Sequence, residues 1–434
     1  MPRTRRSAMS IAKDEVTTME ALGATRVLNS REWIERGRAL RPLLDAAAPR
    51  IEQAKDLPSD VQDAMHEAGL FRLVLPRSVG GAELDLATYA QVVAAIAEGD
   101  ASAAWCVAQT AGSSIAAAYL EPRAAKQIFG DPRSVFTFGF TSGQPSCRAI
   151  PAKGGWIVNG AWTFASGNRL CQWLGGHCQL CDENGTPLRH LDGRFVERSM
   201  IFPRASAMVR EDLWDVMGLC GTGSDSYSVT NLFVPTEYSV VPRAIARDQQ
   251  LPEGVHAEPD PERRERGTLY RFTSQAVFQT GLSSVAIGIA RAVLDNFIEL
   301  AKKKNPSSAI HPLRDDTWIH ARIAQADAKI GAASAWLVKL LEDAWEECET
   351  AGELSFPTRV KIRTACTHQI TESREAVDMI FLEAGATAIF KSNQFERRFR
   401  DIHTVSQQVQ GNIARMQSVG QYYLGMKPQL FLLP

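Results

Sequence analysis

The stretch Gly154-Gly-Trp-Ile-Val-Asn-Gly-Ala-Trp-Thr-Phe-Ala-Ser-Gly-Asn-Arg-Leu-Cys-Gln-Trp173 decides how the chain is read. Trp156, Ile157 and Val158 form a short β-prone run, and Asn159-Gly160 predicts a hairpin turn because both residues tolerate positive φ. Ala161 to Ala165 then form a return strand rich in aromatic and β-branched side chains. It ends on Ser166-Gly167, a hydroxyl followed by a residue with no side chain. A flat ligand could lie against such an end, its polar edge facing the Ser166 hydroxyl and nearby backbone N–H groups. An ordinary surface hairpin is the alternative.

Outward from this stretch the pattern is β-rich. Between Ser134 and Pro242, short apolar pieces (VFTFGF, GWIVNG, WTFASG, QWLGGHCQL, SMIFP, YSVTNLFVP) alternate with Gly, Pro and Asn turns, which predicts a compact antiparallel β-domain. Upstream, the chain reads as helices. WIERGRALRPLLDAAAPRIEQAK has apolar positions at helical spacing, SDVQDAMHEAGLF follows Pro58, and Leu86 to Glu98 is a third. The segment from Asp100 through Trp105 to Ala117 is poor in charge, which predicts a buried helix. Its small residues Ala111, Gly112, Ser113 and Ser114 would admit either a packed helix or a ligand. Downstream, residues 243–268 are polar with three prolines and read as a linker. Four long amphipathic helices then begin at Phe278, Thr317, Pro357 and Arg400, the last running to Gly425, and fit an up-down bundle. The domain boundaries expected are 1–29 (disordered leader), 30–132 (helical), 133–242 (β), 243–268 (linker) and 269–434 (helical bundle).

Composition narrows the function classes. The 434 residues are 45% hydrophobic and 22% charged with a formal net charge of -1, which suits a globular protein and argues against nucleic acid or an anionic membrane as partner. No apolar run reaches the ~20 residues of a membrane span, and the basic N-terminus lacks the apolar core of a secretory signal, so a cytoplasmic location is expected. Eight scattered cysteines suit a reducing compartment. Cys178 and Cys181 form a lone C-x-x-C beside His177, but no second pair completes a zinc set, so no metal is expected.

Five segments, GLFRLVLPRSVGGAELDL, GDASAAW, GGWIVNGAWTFASG, WDVMGLCGTGSDSYSVTNLFVP and AGATAIFKSNQFERRFRDIHT, occur in an order that resembles the acyl-CoA dehydrogenase fold from about residue 30 onward. The implied fold class is α+β, with an N-terminal helical domain, a middle antiparallel β-domain and a C-terminal four-helix bundle. The chain is more similar to the branch of two-component flavin-dependent monooxygenases, such as hydroxyphenylacetate, hydroxysteroid-type and dibenzothiophene monooxygenases. The resemblance implies a flavin, FMN or FAD, between β-domain and bundle. Phe164, Ala165 and Ser166 would cover its ring, with Ser166 near N5, and Phe138, Phe140 and Thr141 would line the same face. Gly385, Ala386 and Thr387 would approach its phosphate end, often from a neighbouring subunit of a homotetramer, and Trp105 would wall the substrate pocket.

The same comparison sets the chemistry. Acyl-thioester oxidation needs a carboxylate base, which the family carries eight residues after the position of Asp401. Here that is Val409, and no Asp or Glu occurs from Ile402 to Pro434. Glu383 is the candidate for a relocated base, or a paired helix carboxylate. The monooxygenase branch often carries a His at the position of Gln408, and Gln can donate a hydrogen bond without shuttling a proton. His403, five residues earlier and about 140° around the helix, is a candidate acid or base or a structural His. Arg397, Arg398, Arg400 and Asp401 form a charged knot, with Asp401 read as a helix N-terminal residue and the arginines pairing with Glu396 or with flavin phosphate. The expected function is a monooxygenase that uses O2 and reduced flavin from a separate flavin reductase to hydroxylate an aromatic or heteroaromatic small molecule, with Ser166, Gln408 and His403 as catalytic candidates. Two alternatives are an acyl-CoA dehydrogenase-like enzyme oxidising a C–C or C–N bond, and a catalytically reduced flavin-binding homologue.

Overall fold

The computed structural model describes residues 28–140, 147–191, 193–241, 264–305 and 311–426. The leader up to residue 27, Thr141 and most of the 243–268 linker lie outside the described residues.

Six helices come first: α1 (Ser30–Ala39), α2 (Arg41–Ala54), α3 (Ser59–Glu67), α4 (Leu86–Ala97), α5 (Ala101–Ser114) and α6 (Pro122–Phe129). The first predicted helix is two, meeting at Leu40, with Pro42 in the first turn of α2, where its missing N–H costs no helical bond, and Pro49 accommodated inside it. Asn29, Asp85 and Asp100 cap α1, α4 and α5 with side-chain oxygens. All fourteen residues of α5 are buried, as its lack of charge predicted.

The sheet contains β1 (Phe136–Gly139), β2 (Arg148–Ala152), β3 (Gly155–Ala165), β4 (Trp173–Leu180), β5 (Glu197–Pro203), β6 (Met208–Arg210), β7 (Asp225–Pro235) and β8 (Ser239–Val240). Its order is β6-β7-β3-β2-β4-β5-β8, with β1 also on β4. It is mostly antiparallel, but the β1–β4 and β2–β4 pairs are parallel, which the sequence pattern did not reveal.

The predicted hairpin turn is displaced. The β2–β3 turn is Lys153-Gly154, where Gly154 has φ +81°, and Ala152 pairs with Gly155. Asn159-Gly160 lies inside one continuous eleven-residue strand, at a register shift against β7. The Asn159 side chain accepts the Asn231 N–H at 2.8 Å. A Cβ on Gly160 would come within 2.7 Å of the Trp162 ring, so glycine is there for close approach.

Four helices follow: α7 (Ser274–Lys303), α8 (Thr317–Ala351), α9 (Phe356–Ala384) and α10 (Gln394–Gln407), then the short α11 (Gln417–Tyr423). The predicted fourth helix ends early, at Gln407, in a turn so tight that a Cβ on Gly411 would meet the Ser406 carbonyl oxygen at 2.8 Å. The α7 helix packs on α9, α4 and α5. Its Phe278 ring fills the space that Gly112 leaves open, so the small residues of α5 serve a helix contact. By length and hydropathy α7 could cross a membrane, contrary to the reading that no such run exists, yet 89% of its apolar window is buried inside the fold.

Candidate functional site

The end of β3 is shaped by backbone geometry. Phe164 adopts φ +54°, and Ser166 N–H turns back onto the Phe164 carbonyl at 2.9 Å. This sharp turn throws the Phe164 ring outward, 60% exposed, and drives Ser166 inward to 4% exposure. Phe140, bridged to Thr163, is 43% exposed. Trp214 meets the Phe164 ring edge-on at 6.2 Å. Large aromatic faces left open beside a buried hydroxyl are uncommon on a folded surface and mark a place for a flat, apolar-faced ligand. Phe138 is half-buried. Its ring stacks on His177 at 5.2 Å and meets Phe136 edge-on at 4.7 Å.

The Ser166 hydroxyl belongs to a row. Trp105 Nε1 donates to Ser166 Oγ at 3.1 Å, Ser166 and Ser224 Oγ are 2.7 Å apart, Ser224 Oγ and Thr222 Oγ1 are 2.7 Å apart, and Thr222 Oγ1 donates to the Leu219 carbonyl at 2.8 Å. Trp105, Ser166, Thr222 and Ser224 are all buried. Thus α5 and β3 supply the two residues singled out from sequence, and the loop before β7 supplies two that were missed. The signal for those two was available: Thr222-Gly223-Ser224 places hydroxyls on either side of a glycine inside a quoted motif. Leu219 itself sits at φ +54°, and its N–H donates to Asp401 Oδ1 at 2.7 Å.

Asp401 therefore acts from inside α10, whose N-cap is Asn393, and is not an N-terminal helix residue. Burial pushes its carboxyl up to about 6, aided by Asp100 and opposed by Arg397, the Leu219 N–H and Arg400. The arginines of the knot are engaged by carboxylates of the chain itself. Arg400 pairs with Glu396 and Glu52, Arg398 with Asp45, and Arg397 with Asp100.

The remaining candidates have hydrogen-bond partners outside the Ser166 row. His403 Nε2 lies 2.8 Å from Asp378 Oδ1 on α9, with its ring against Phe399. Gln408 caps α10 and its Oε1 accepts the Gln410 N–H at 2.6 Å. The adjoining turn is held by buried Arg363, which donates to the Val409 carbonyl at 3.1 Å and to Gln410 Oε1. Neither Arg363 nor Gln410 was foreseen. Glu383 is salt-bridged to Arg322 and accepts from Trp318 Nε1, each at 3.0 Å, so it is a paired helix carboxylate. Gly385, Ala386 and Thr387 follow α9, where Lys304 Nζ donates to the Ala384 carbonyl at 2.8 Å. Gly385 has φ +60°. Cys178 and Cys181 lie in and just after β4 with thiols pushed up by burial. No group of three metal-binding side chains occurs among the described residues.

Comparison with known proteins agrees with this architecture. Residues 38–122 match the acyl-CoA dehydrogenase N-terminal domain, and residues 280–412 match the acyl-CoA dehydrogenase C-terminal domain. The chain is 26% identical over 398 residues to an indole-3-acetate monooxygenase of Pseudomonas putida, covering 90% of this chain and 95% of the relative. It is 27% identical over 369 residues to the flavin-dependent monooxygenase oxygenase subunit HsaA of Rhodococcus jostii, covering 84% and 91%. XiaF from a Streptomyces species, solved with FADH2 and glycerol, superposes with a TM-score of 0.80 at 20% identity, covering 92% of this chain and 96% of that one. With both terminal domains matched on either side of the sheet, the chain belongs to the acyl-CoA dehydrogenase family.

Proposed function

We propose that the protein is the oxygenase component of a two-component flavin-dependent monooxygenase, using O2 and reduced flavin (FMN or FAD) from a separate reductase to hydroxylate an aromatic or heteroaromatic small molecule. The observation that carries this reading over acyl-thioester oxidation is the turn after α10. The family's base position is Val409, its neighbour Gln408 is folded onto the Gln410 N–H, and no Asp or Glu occurs from Ile402 to Pro434. A turn without a carboxylate base suits chemistry that takes no α-proton from substrate. The relatives named above are monooxygenases, which supports the same reading.

The residues present fit a flavin. The open faces of Phe140 and Phe164 suit a planar ring, and the buried Ser166 hydroxyl suits its polar edge. The flavin would supply the activation of oxygen. Phe140, Phe164 and Ala165 would support the ring, Ser166 would hydrogen-bond at N5, and the buried Trp105 would exclude water and wall the substrate. Gly385, Ala386 and Thr387 would serve the phosphate end of a neighbouring subunit's cofactor in a homotetramer. Leu382, Ile389 and Phe390, all at least 60% exposed around that turn, support burial against a second copy.

The test supplies the protein with a reductase, NADH, flavin and 18O2, screens aromatic compounds such as indoles and phenols, and analyses products by mass spectrometry. One 18O atom in a hydroxylated product is the expected result. Bleaching of bound flavin by an acyl-CoA without oxygen incorporation would establish the dehydrogenase alternative instead. Light scattering would give the mass, with four copies expected.

A further inference from the structure

We infer that the hydroxyl row from Trp105 to Leu219 discriminates the redox state of the flavin, accepting the reduced form and disfavouring the oxidised one. The inference rests on the placement of flavin N5 beside Ser166 proposed above, and it assigns a positioning role to Ser224 and Thr222.

The argument is a proton count. An indole N–H can only donate, and a carbonyl oxygen can only accept. Between Trp105 Nε1 at one end and the Leu219 carbonyl at the other stand three hydroxyls with one proton each. The four links are 3.1, 2.7, 2.7 and 2.8 Å long. Thr222 spends its proton on Leu219, so Ser224 must donate to Thr222, and Ser166 must donate to Ser224. Four protons fill four links, all pointing away from Trp105. Ser166 is left with no proton to offer and one lone pair free.

The terminal acceptor is held firmly. Leu219 N–H is tied to Asp401 at 2.7 Å, with the residue kept at φ +54°. The row is buried, so reversing it would leave a hydroxyl or carbonyl unsatisfied without water to compensate.

Flavin N5 changes character with redox state. In the reduced ring it carries a hydrogen and donates; in the oxidised ring it is bare and accepts. A Ser166 that can only accept pairs with the reduced ring and sets lone pair against lone pair with the oxidised one. An unmade bond of this kind in a buried site corresponds to roughly tenfold or more in affinity. The preference would favour loading by a reductase and release of spent cofactor.

The experiment measures dissociation constants for oxidised and dithionite-reduced FMN and FAD, anaerobically, by ultrafiltration. Wild type is expected to bind the reduced form at least about tenfold more tightly. Ser224→Ala frees the Ser166 proton to point outward, and Thr222→Val lets Ser224 turn and donate to Ser166. Both are expected to cut the oxidised-to-reduced ratio about tenfold, equivalent to about 30 mV in the two-electron potential of the bound flavin. Thr222→Ser restores the row and is expected to keep the wild-type ratio. General loosening of the site would weaken both forms alike and leave the ratio unchanged. An unchanged ratio in Ser224→Ala and Thr222→Val, or a wild type that binds oxidised flavin as tightly as reduced, overturns the inference while leaving flavin binding intact. Failure of wild type to bind either form overturns the flavin site itself, and this inference with it.

Discussion

Asp401 joins the turn that ends the hydroxyl row to the interior of α10 and carries a measurable signature. Its carboxyl sits near 6 in the fold against an ordinary value of 3.8. A carboxyl whose folded value is raised contributes stability that is complete below about 3.8 and lost as pH rises through about 6. Two units correspond to roughly 2–3 kcal/mol at most. Asp401→Asn keeps an oxygen to accept the Leu219 N–H and removes the titration. The stability of the variant relative to wild type, followed by urea unfolding, should therefore become more favourable between pH 4 and pH 7. A difference that stays flat across that interval would mean the carboxyl does not titrate there. Sequence alone could place Ser166 at a strand end and Trp105 on a buried helix. It could not join them to Thr222 and Ser224, because the links span 58 to 61 residues and depend on how β3 and β7 register.

At the scale of one element, β3 holds Ser166 in place through Trp162. That indole is fully buried, stacks on Tyr227 at 5.4 Å and donates to the His177 carbonyl at 3.2 Å. Glycines from three strands make room for it. A Cβ would lie 2.7 Å from Trp162 atoms at Gly139 and Gly160, and 2.1 Å at Gly176. Gly176→Ala must therefore displace the indole, the β4 backbone or both, at a cost of about 1–3 kcal/mol or more. Urea unfolding should report the loss, and the displaced strand end should weaken flavin binding in both redox states. Unchanged stability would show that the packing around Trp162 gives way easily. These glycines explain why the hairpin turn was misplaced from sequence: Asn-Gly is a strong turn signal locally, but at Gly160 an aromatic two residues away needs the space. The amphipathic helical segments were legible because their burial follows one period along the chain, and α5, buried all round, was legible from its lack of charge. The shortened final helix was not, because its end is set by Arg363 gripping the following turn from another helix.

Across the whole molecule, the segment Arg397-Arg398-Phe399-Arg400 clasps the C-terminal helices to the N-terminal ones. Arg400 bonds Glu52 of α2 at 2.6 Å, and Arg397 faces Asp100 at the start of α5. Arg398 is the centre of the clasp. It is 2% exposed and donates to Asp45 at 2.9 Å, to the Glu98 carbonyl at 2.8 Å and to Gln394 at 2.8 Å. Burial pulls its guanidinium down to about 10, yet it remains charged at neutral pH. Removing one member of such a buried network strands its partners and costs about 3–5 kcal/mol, whereas an exposed pair contributes about 1 kcal/mol or less. The pair Arg291–Asp327, with side chains 32% and 62% exposed, provides the internal control. Arg398→Met should thus destabilise the protein several-fold more than Arg291→Met, and 1 M salt should erase much of the Arg291 effect but little of the Arg398 effect. Hydrogen exchange would locate the loss, since α2 and the α4–α5 junction should lose protection before the sheet does. Equal costs for the two substitutions, or protection lost uniformly, would mean that apolar packing of α7 against α4 and α5 joins the two ends of the chain without help from the clasp.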